Sequence, residues 1–120
     1  MKNGIQNKLF QHSLWVRTNG AEGKFADLTG ADLSGRDLRG VNLSGANLIE
    51  ADLTGANLEG SDLTGADLYG ASLKRANLLD VDLRGANLLD VDLRGANFSN
   101  ADFRGAKIDG INLTILLRKI

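Results

Sequence analysis

Residues 76–95 read ANLLD VDLRG ANLLD VDLRG, one decad written twice with leucine at every fifth place. Carrying that register back to Ala26 and on to Ile115 divides ninety residues into eighteen pentads without an insertion or deletion. The third position is Leu fourteen times, then Phe98, Phe103, Ile108 and Leu113. The first is Ala twelve times, Val at 41, 81 and 91, and otherwise Arg36, Ser61 and Ile111. The second is Asp nine times and Asn seven, with Ser72 and Lys107 as exceptions; the fifth is Gly twelve times. A period of five matches neither a helix nor a flat strand, so neither keeps these leucines on one side. In extended backbone the first and third positions share a face and the second points away, while a fifth-position Gly lets the chain turn. Repetition therefore coils the chain around a leucine-filled axis. Stacked coils pair backbone to backbone at about 4.8 Å, which satisfies main-chain groups that tight winding would strand. The Asp/Asn column is expected to accept hydrogen bonds from nearby turn amides rather than to do chemistry.

The rest of the composition removes function classes. At 120 residues the chain is one domain. Proline and cysteine are absent, which excludes disulfides, Cys-type zinc sites, thiol nucleophiles and PxxP ligands. His12 is the only histidine, no nucleophile motif or phosphate loop occurs, and the nonapeptide of calcium-binding β-rolls is missing. We therefore expect no catalytic residue, no cofactor and no metal. With 14 Lys+Arg against 15 Asp+Glu the formal charge is -1, no footprint for direct nucleic-acid binding. No apolar stretch approaches membrane-spanning length and no signal-peptide pattern opens the chain, so a cytoplasmic protein without membrane contact is expected.

The repeat resembles the pentapeptide-repeat family, whose consensus is A(D/N)LXX, over 90 of 120 residues. That resemblance implies an all-β fold, a right-handed quadrilateral β-helix with four pentads to a twenty-residue coil, and hence about 4.5 coils here. The third residue becomes the central inward one and the first the smaller inward one. The expected division is a capping leader over 1–25, the β-helix over 26–115 and a C-terminal tail over 116–120.

A one-dimensional stack has two open ends that need covers. In the leader, Asn3 is placed to cap a helix, Ile5, Leu9 and Val16 recur near helical spacing, and Asn19-Gly20 is a stop signal. The leader also resembles one found before the repeats in bacterial family members, with a His-x-x-Trp pair (His12, Trp15) and two spaced glycines (Gly20, Gly23). Covering the first coil is the role expected of Trp15. At the other end, Ile115, Leu116, Leu117 and Ile120 are expected to cover the last coil or to meet a second copy in a homodimer.

If a coil is twenty residues, fourth-position side chains stack in four outward columns. One runs Thr29, Ile49, Tyr69, Leu89, Asp109, and another Ser34, Thr54, Lys74, Arg94, Thr114. Ile49, Tyr69 and Leu89, flanked by Glu50 and Asp90, form the candidate interaction stripe for an unidentified protein partner. The plainer reading is that stacked apolar residues cover one another. Arg36 is the one clear breach of the inward pattern. The expected function is a non-catalytic scaffold or protein-interaction module. The resemblance supplies an alternative, because some family members mimic duplex DNA and bind DNA gyrase. Residues 26–115 hold 14 acids and 8 bases, a net of -6, yet Arg84, Arg94 and Arg104 interrupt that surface, which disfavours mimicry.

Overall fold

Every pentad must place five backbone N–H groups, and residues 46–50 show where they go. Ala46 N–H donates to Leu43 O at 3.0 Å, closing the corner behind it, and Asn47 N–H donates to Ala26 O in the coil before. Leu48 and Glu50 donate forward to Asp67 O and Tyr69 O, at 2.7 and 2.8 Å. Only the Ile49 N–H has no backbone carbonyl, and the side-chain Oδ1 of Asn47 accepts it at 3.1 Å. This assignment repeats along the chain. A second-position Asp or Asn is thus the structural answer to one orphan amide per pentad, two residues downstream. The same bond recurs from Asp27–Thr29 through Asp102–Arg104, and Ser72 reproduces it at 3.4 Å toward Lys74.

Our computed structural model describes residues 2–110, 112, 114 and 115, with side chains from Gly4 onward. Parallel bridges join each second-position residue to the one twenty further on, from Asp27↔Asn47 to Asn87↔Lys107. The repeat region is therefore a β-helical solenoid with a twenty-residue turn. Its bridges are isolated and do not extend into strands, because a corner every five residues leaves too little extended chain for a longer ladder. The corners explain the fifth column. Where it is not Gly, the residue still takes the left-handed conformation, with φ of 57° at Glu50, 58° at Arg75, 60° at Asp80, 59° at Asp90 and 59° at Asn100. The geometry is imposed by the coil and glycine merely adopts it most easily.

The axis is filled as the spacing predicts. Leu33, Leu43, Leu48, Leu53, Leu58, Leu63, Leu68, Leu73, Leu78, Leu83, Leu88 and Leu93 are all 0% exposed, each such burial being worth about 1.5–3 kcal/mol. First-position Ala and Val residues join the same core. Arg36 is half-buried. Ser61 is buried at 1% exposure, and its hydroxyl oxygen has no hydrogen-bond partner. Toward the end the core becomes aromatic, with Phe98 and Phe103 edge to face at a centroid separation of 6.0 Å.

Helix α1 spans Lys2–Arg17, so Asn3 lies inside it rather than capping it. Ile5 and Leu9 pack on the core, and Asn19 and Gly20, at φ 53° and 84°, turn the chain out of the helix. The far end departs from the expected division. Gly110 does not take the left-handed turn, and the described residues at 110, 112, 114 and 115 are helical. Asp109 is the reason, since its Oδ1 accepts the Asn112 N–H at 3.0 Å in the manner of a helix N-cap. Asn112, in a second-position place, turns inward and donates from Nδ2 to Val91 O at 2.7 Å. The described residues of the eighteenth pentad, 112, 114 and 115, are thus helical and do not continue the pattern of corners.

Candidate interaction surface

The coil register brings Ile49, Tyr69 and Leu89 into one column. Asn47, Asp67 and Asn87 beneath them are bridged in series, and each accepts the backbone N–H of its outward neighbour at 3.1 Å. Asn87 Nδ2 also donates to Asp67 Oδ1 at 3.1 Å, tying the second-position column together. Forward bonds from Glu50 N to Tyr69 O (2.8 Å) and from Gly70 N to Leu89 O (3.1 Å) lock the spacing. The three side chains therefore stand on backbone with little freedom to rearrange. Ile49 and Leu89 are half-buried by their neighbours, whereas Tyr69 is 44% exposed. Glu50 stands at the corner beside them, its Cγ lying over Gly70. Asp90 sits at the same corner, its N–H donating to Asp109 Oδ2 at 3.0 Å. The result is a low apolar ridge edged by carboxylates.

The charged columns are differently built. Arg39, Arg84, Arg94 and Arg104 each fold back on the Asp two residues before, for example Arg94 Nε and Nη2 to Asp92 at 3.0 and 2.8 Å. The guanidinium of Arg39 holds the Asp37 carboxyl at about 2, and that of Arg104 does the same for Asp102. These are solvated pairs that contribute little stability one by one. They do neutralise four of the carboxylates that a continuous negative surface would need.

The leader residues do more than cover the first coil. His12 is 0% exposed. Its Nδ1 accepts the Ala26 N–H at 2.9 Å, which leaves Nε2 to donate to Ser44 O at 2.7 Å. One imidazole therefore ties α1 to both ends of the first coil, at Ala26 and Ser44. Trp15 stacks on His12 at 5.8 Å, and Phe25 meets both rings edge-on. Gly20 lies under the indole, 3.3 Å from its Nε1 to a Cβ position, and a Cβ on Gly23 would overlap the Gln11 carbonyl oxygen. The resemblance to the bacterial leader marked these four positions without revealing the bonds that His12 makes to Ala26 and Ser44. Of the C-terminal candidates, Ile115 is half-buried in the final helical turn, and Leu116, Leu117 and Ile120 lie outside the described residues.

Among the described residues no group of His, Asp and Glu is arranged to hold a metal ion, and no helix is long and apolar enough to cross a membrane.

Comparison with known proteins follows the repeat. None of the curated proteins compared with the chain matches it. Among solved structures it is similar to Rfr23, a pentapeptide repeat protein of the cyanobacterium Cyanothece 51142, at 35% identity and a TM-score of 0.66, over 76% of this chain. The chain spans 65% of that relative's length. It is also similar to AT2G44920, a pentapeptide repeat protein of the Arabidopsis thaliana thylakoid lumen, at 31% identity and TM-score 0.58, over 78% of this chain and 75% of that one. QnrB1, a plasmid-mediated fluoroquinolone resistance protein, matches at 18% identity and TM-score 0.22, too distantly to carry any argument about this chain. The family described as pentapeptide repeats (8 copies) matches residues 26–65, 42–80 and 76–114, the same stretch that builds the coils. With its register, its Asx-pinned amides and its leucine axis in agreement, the chain belongs to the pentapeptide-repeat family.

Proposed function

We propose that the chain is a non-catalytic interaction module, a right-handed solenoid in which the ridge of Ile49, Tyr69 and Leu89 receives one protein partner. The observation that carries this reading is Tyr69, which leaves 44% of its surface exposed between two half-buried aliphatic neighbours on a rigid face. An aromatic with a polar tip on a preorganised backbone loses little entropy when a partner covers it, the property that enriches Tyr at interface centres. The carboxylates of Glu50 and Asp90 at the corner favour a partner whose contact surface is apolar with a basic rim.

The test uses a photo-crosslinking residue at 69, with the same residue at 54 on the adjacent face as control, in lysate of the source cells. Crosslinking from 69 and its loss on Ile49→Ser and Leu89→Ser is the expected result. Equal yields from 69 and 54 would overturn the assignment. DNA mimicry is the less supported reading. It needs a sustained negative surface, and four arginines fold onto that surface's own aspartates.

A further inference from the structure

The pentad Ala71–Arg75, ASLKR, breaks the repeat in two places at once. Its second position is Ser72 where sixteen of the eighteen pentads carry Asp or Asn, and its fifth is Arg75 where twelve carry Gly. Both departures change the charge in the same direction. Elsewhere, a cation in the fourth position has an Asp two residues before it that clamps it from both oxygens, as at Asp37–Arg39, Asp82–Arg84, Asp92–Arg94 and Asp102–Arg104. Lys74 has Ser72 in that place, and the Ser72 hydroxyl is engaged with Thr54 Oγ1 at 2.8 Å. Arg75 occupies a left-handed corner at φ 58°, a conformation unfavourable for a long side chain. Among the described residues neither Lys74 nor Arg75 makes an ion pair, while Arg94 is paired with Asp92.

The coil stacks these cations. Arg75 N–H donates to Arg94 O at 3.0 Å, and the Arg75 Cγ lies over Gly95, 3.2 Å from where a Cβ would stand. Lys74, Arg75, Arg94 and Gly95 line a shallow notch of about 330 Å³. Three cations against the single carboxylate of Asp92 leave a local charge of +2, the complement of a phosphate monoester, which carries about -1.5 to -2 near neutrality. Arg94 uses Nε and Nη2 on Asp92, so its Nη1 edge and the whole Arg75 guanidinium remain as planar donors of the kind that match phosphate oxygens. The absence of a side chain at Gly95 leaves room for the Arg75 stem to lie there.

We propose that Lys74, Arg75 and Arg94 form a phosphate-binding notch. It stands on different residues from the Tyr69 ridge and does not depend on that reading. The test is a titration of the isotope-labelled full chain with inorganic phosphate at constant ionic strength, followed by amide chemical shifts. Saturable shifts at Lys74, Arg75, Arg94 and Gly95 are expected, with Arg84 and Arg104 serving as internal controls. Ser72→Asp and Arg75→Gly each restore the residue the repeat favours, so both retain the coil, and each should weaken binding at least about tenfold. If Ser72→Asp fails to fold, Arg75→Gly decides alone. A second arm uses a capped Ala-phosphoserine-Ala peptide beside its unphosphorylated form. Tighter binding of the phosphopeptide than of inorganic phosphate assigns the notch to a phosphorylated chain, and equal or weaker binding assigns it to free phosphate. Linear, unsaturated shifts, shifts of equal size at Arg84 and Arg104, or variants that bind like the parent would overturn the proposal.

Discussion

Replacing Gly23 by Ala tests how the leader is fastened. Two terms set the cost. The first is the left-handed backbone at φ 79°, about 1–2 kcal/mol for a residue with a Cβ, less about 0.4–1 kcal/mol regained from the stiffer unfolded chain. The second is steric. The new Cβ would overlap the Gln11 carbonyl oxygen and come within 2.7 Å of the Trp15 amide nitrogen and 3.0 Å of Leu14 Cβ. The first two are helix backbone and cannot rotate aside, so α1 must retreat as a body. Retreat breaks Lys24 N to Gln11 O (3.1 Å), Ala26 N to His12 Nδ1 (2.9 Å) and His12 Nε2 to Ser44 O (2.7 Å). At about 0.5–1.5 kcal/mol for each of the three lost bonds, the steric term adds about 1.5–4.5 kcal/mol. Gly55→Ala is the control, with a φ of 69° and nothing within 4 Å of its Cβ, so only the first term applies. Urea midpoints by circular dichroism and amide exchange across residues 5–17 measure both. We expect Gly55→Ala to cost about 0.5–1.5 kcal/mol and Gly23→Ala clearly more, with exchange protection lost from α1 first. Equal costs for the two variants would refute the docking argument.

Three further perturbations follow from single observations. Ser61→Ala removes a buried hydroxyl without a partner from a position that Ala fills elsewhere, so the urea midpoint should rise by the equivalent of about 1 kcal/mol; a fall would mean that the hydroxyl is bonded in solution. His12→Phe leaves the Ala26 N–H and the Ser44 carbonyl without their partner and should cost about 2–6 kcal/mol at about 1–3 kcal/mol per stranded group, while a thermal melt matching the parent would show that the imidazole ties nothing. Acid should weaken the fold, because the Asp37 and Asp102 carboxyls sit at about 2, against 3.8 unperturbed. Their folded values lie below the unfolded one, so their stabilisation is present above about pH 4 and is lost as pH falls toward 2. Asp37→Asn with Asp102→Asn keeps an Oδ1 acceptor for the turn amide and removes the titration, flattening the acid limb of stability against pH; an unchanged limb would locate the acid sensitivity elsewhere.

Much of the coil is legible because its information is local. A Leu, or in three late pentads a Phe or Ile, at the third position, a mostly small residue two before it and a corner residue two after it define which way each side chain points. The Asp/Asn column was readable as an acceptor for turn amides because that bond spans only two residues. The ridge was legible only after a twenty-residue turn had been assumed, since Ile49, Tyr69 and Leu89 have no local relation to one another. The helical turn that begins at Gly110 was hidden by a pentad register that continues unbroken through Ile115, although Asp109 three residues ahead of Asn112 was a usable N-cap signal. The basic notch was partly legible, because the twenty-residue register already set Lys74 and Arg94 in one column; that Arg75 lies over Gly95 beside them came from the structure.

The amino-acid sequence by itself determined the axis of this protein: which residues face inward, where the corners from Gly30 to Gly105 fall and how the fourth amide is satisfied wherever Asp or Asn holds the second position. All of these rest on interactions within a few residues, and periodicity repeats them until no competing register survives. Only the tertiary structure decided which outward side chains become neighbours, that His12 binds both ends of the first coil at once, and that Gly110 begins a helical turn instead of another corner. Those outcomes depend on contacts between segments tens of residues apart, and the geometry of such contacts is set by the stacking of whole coils.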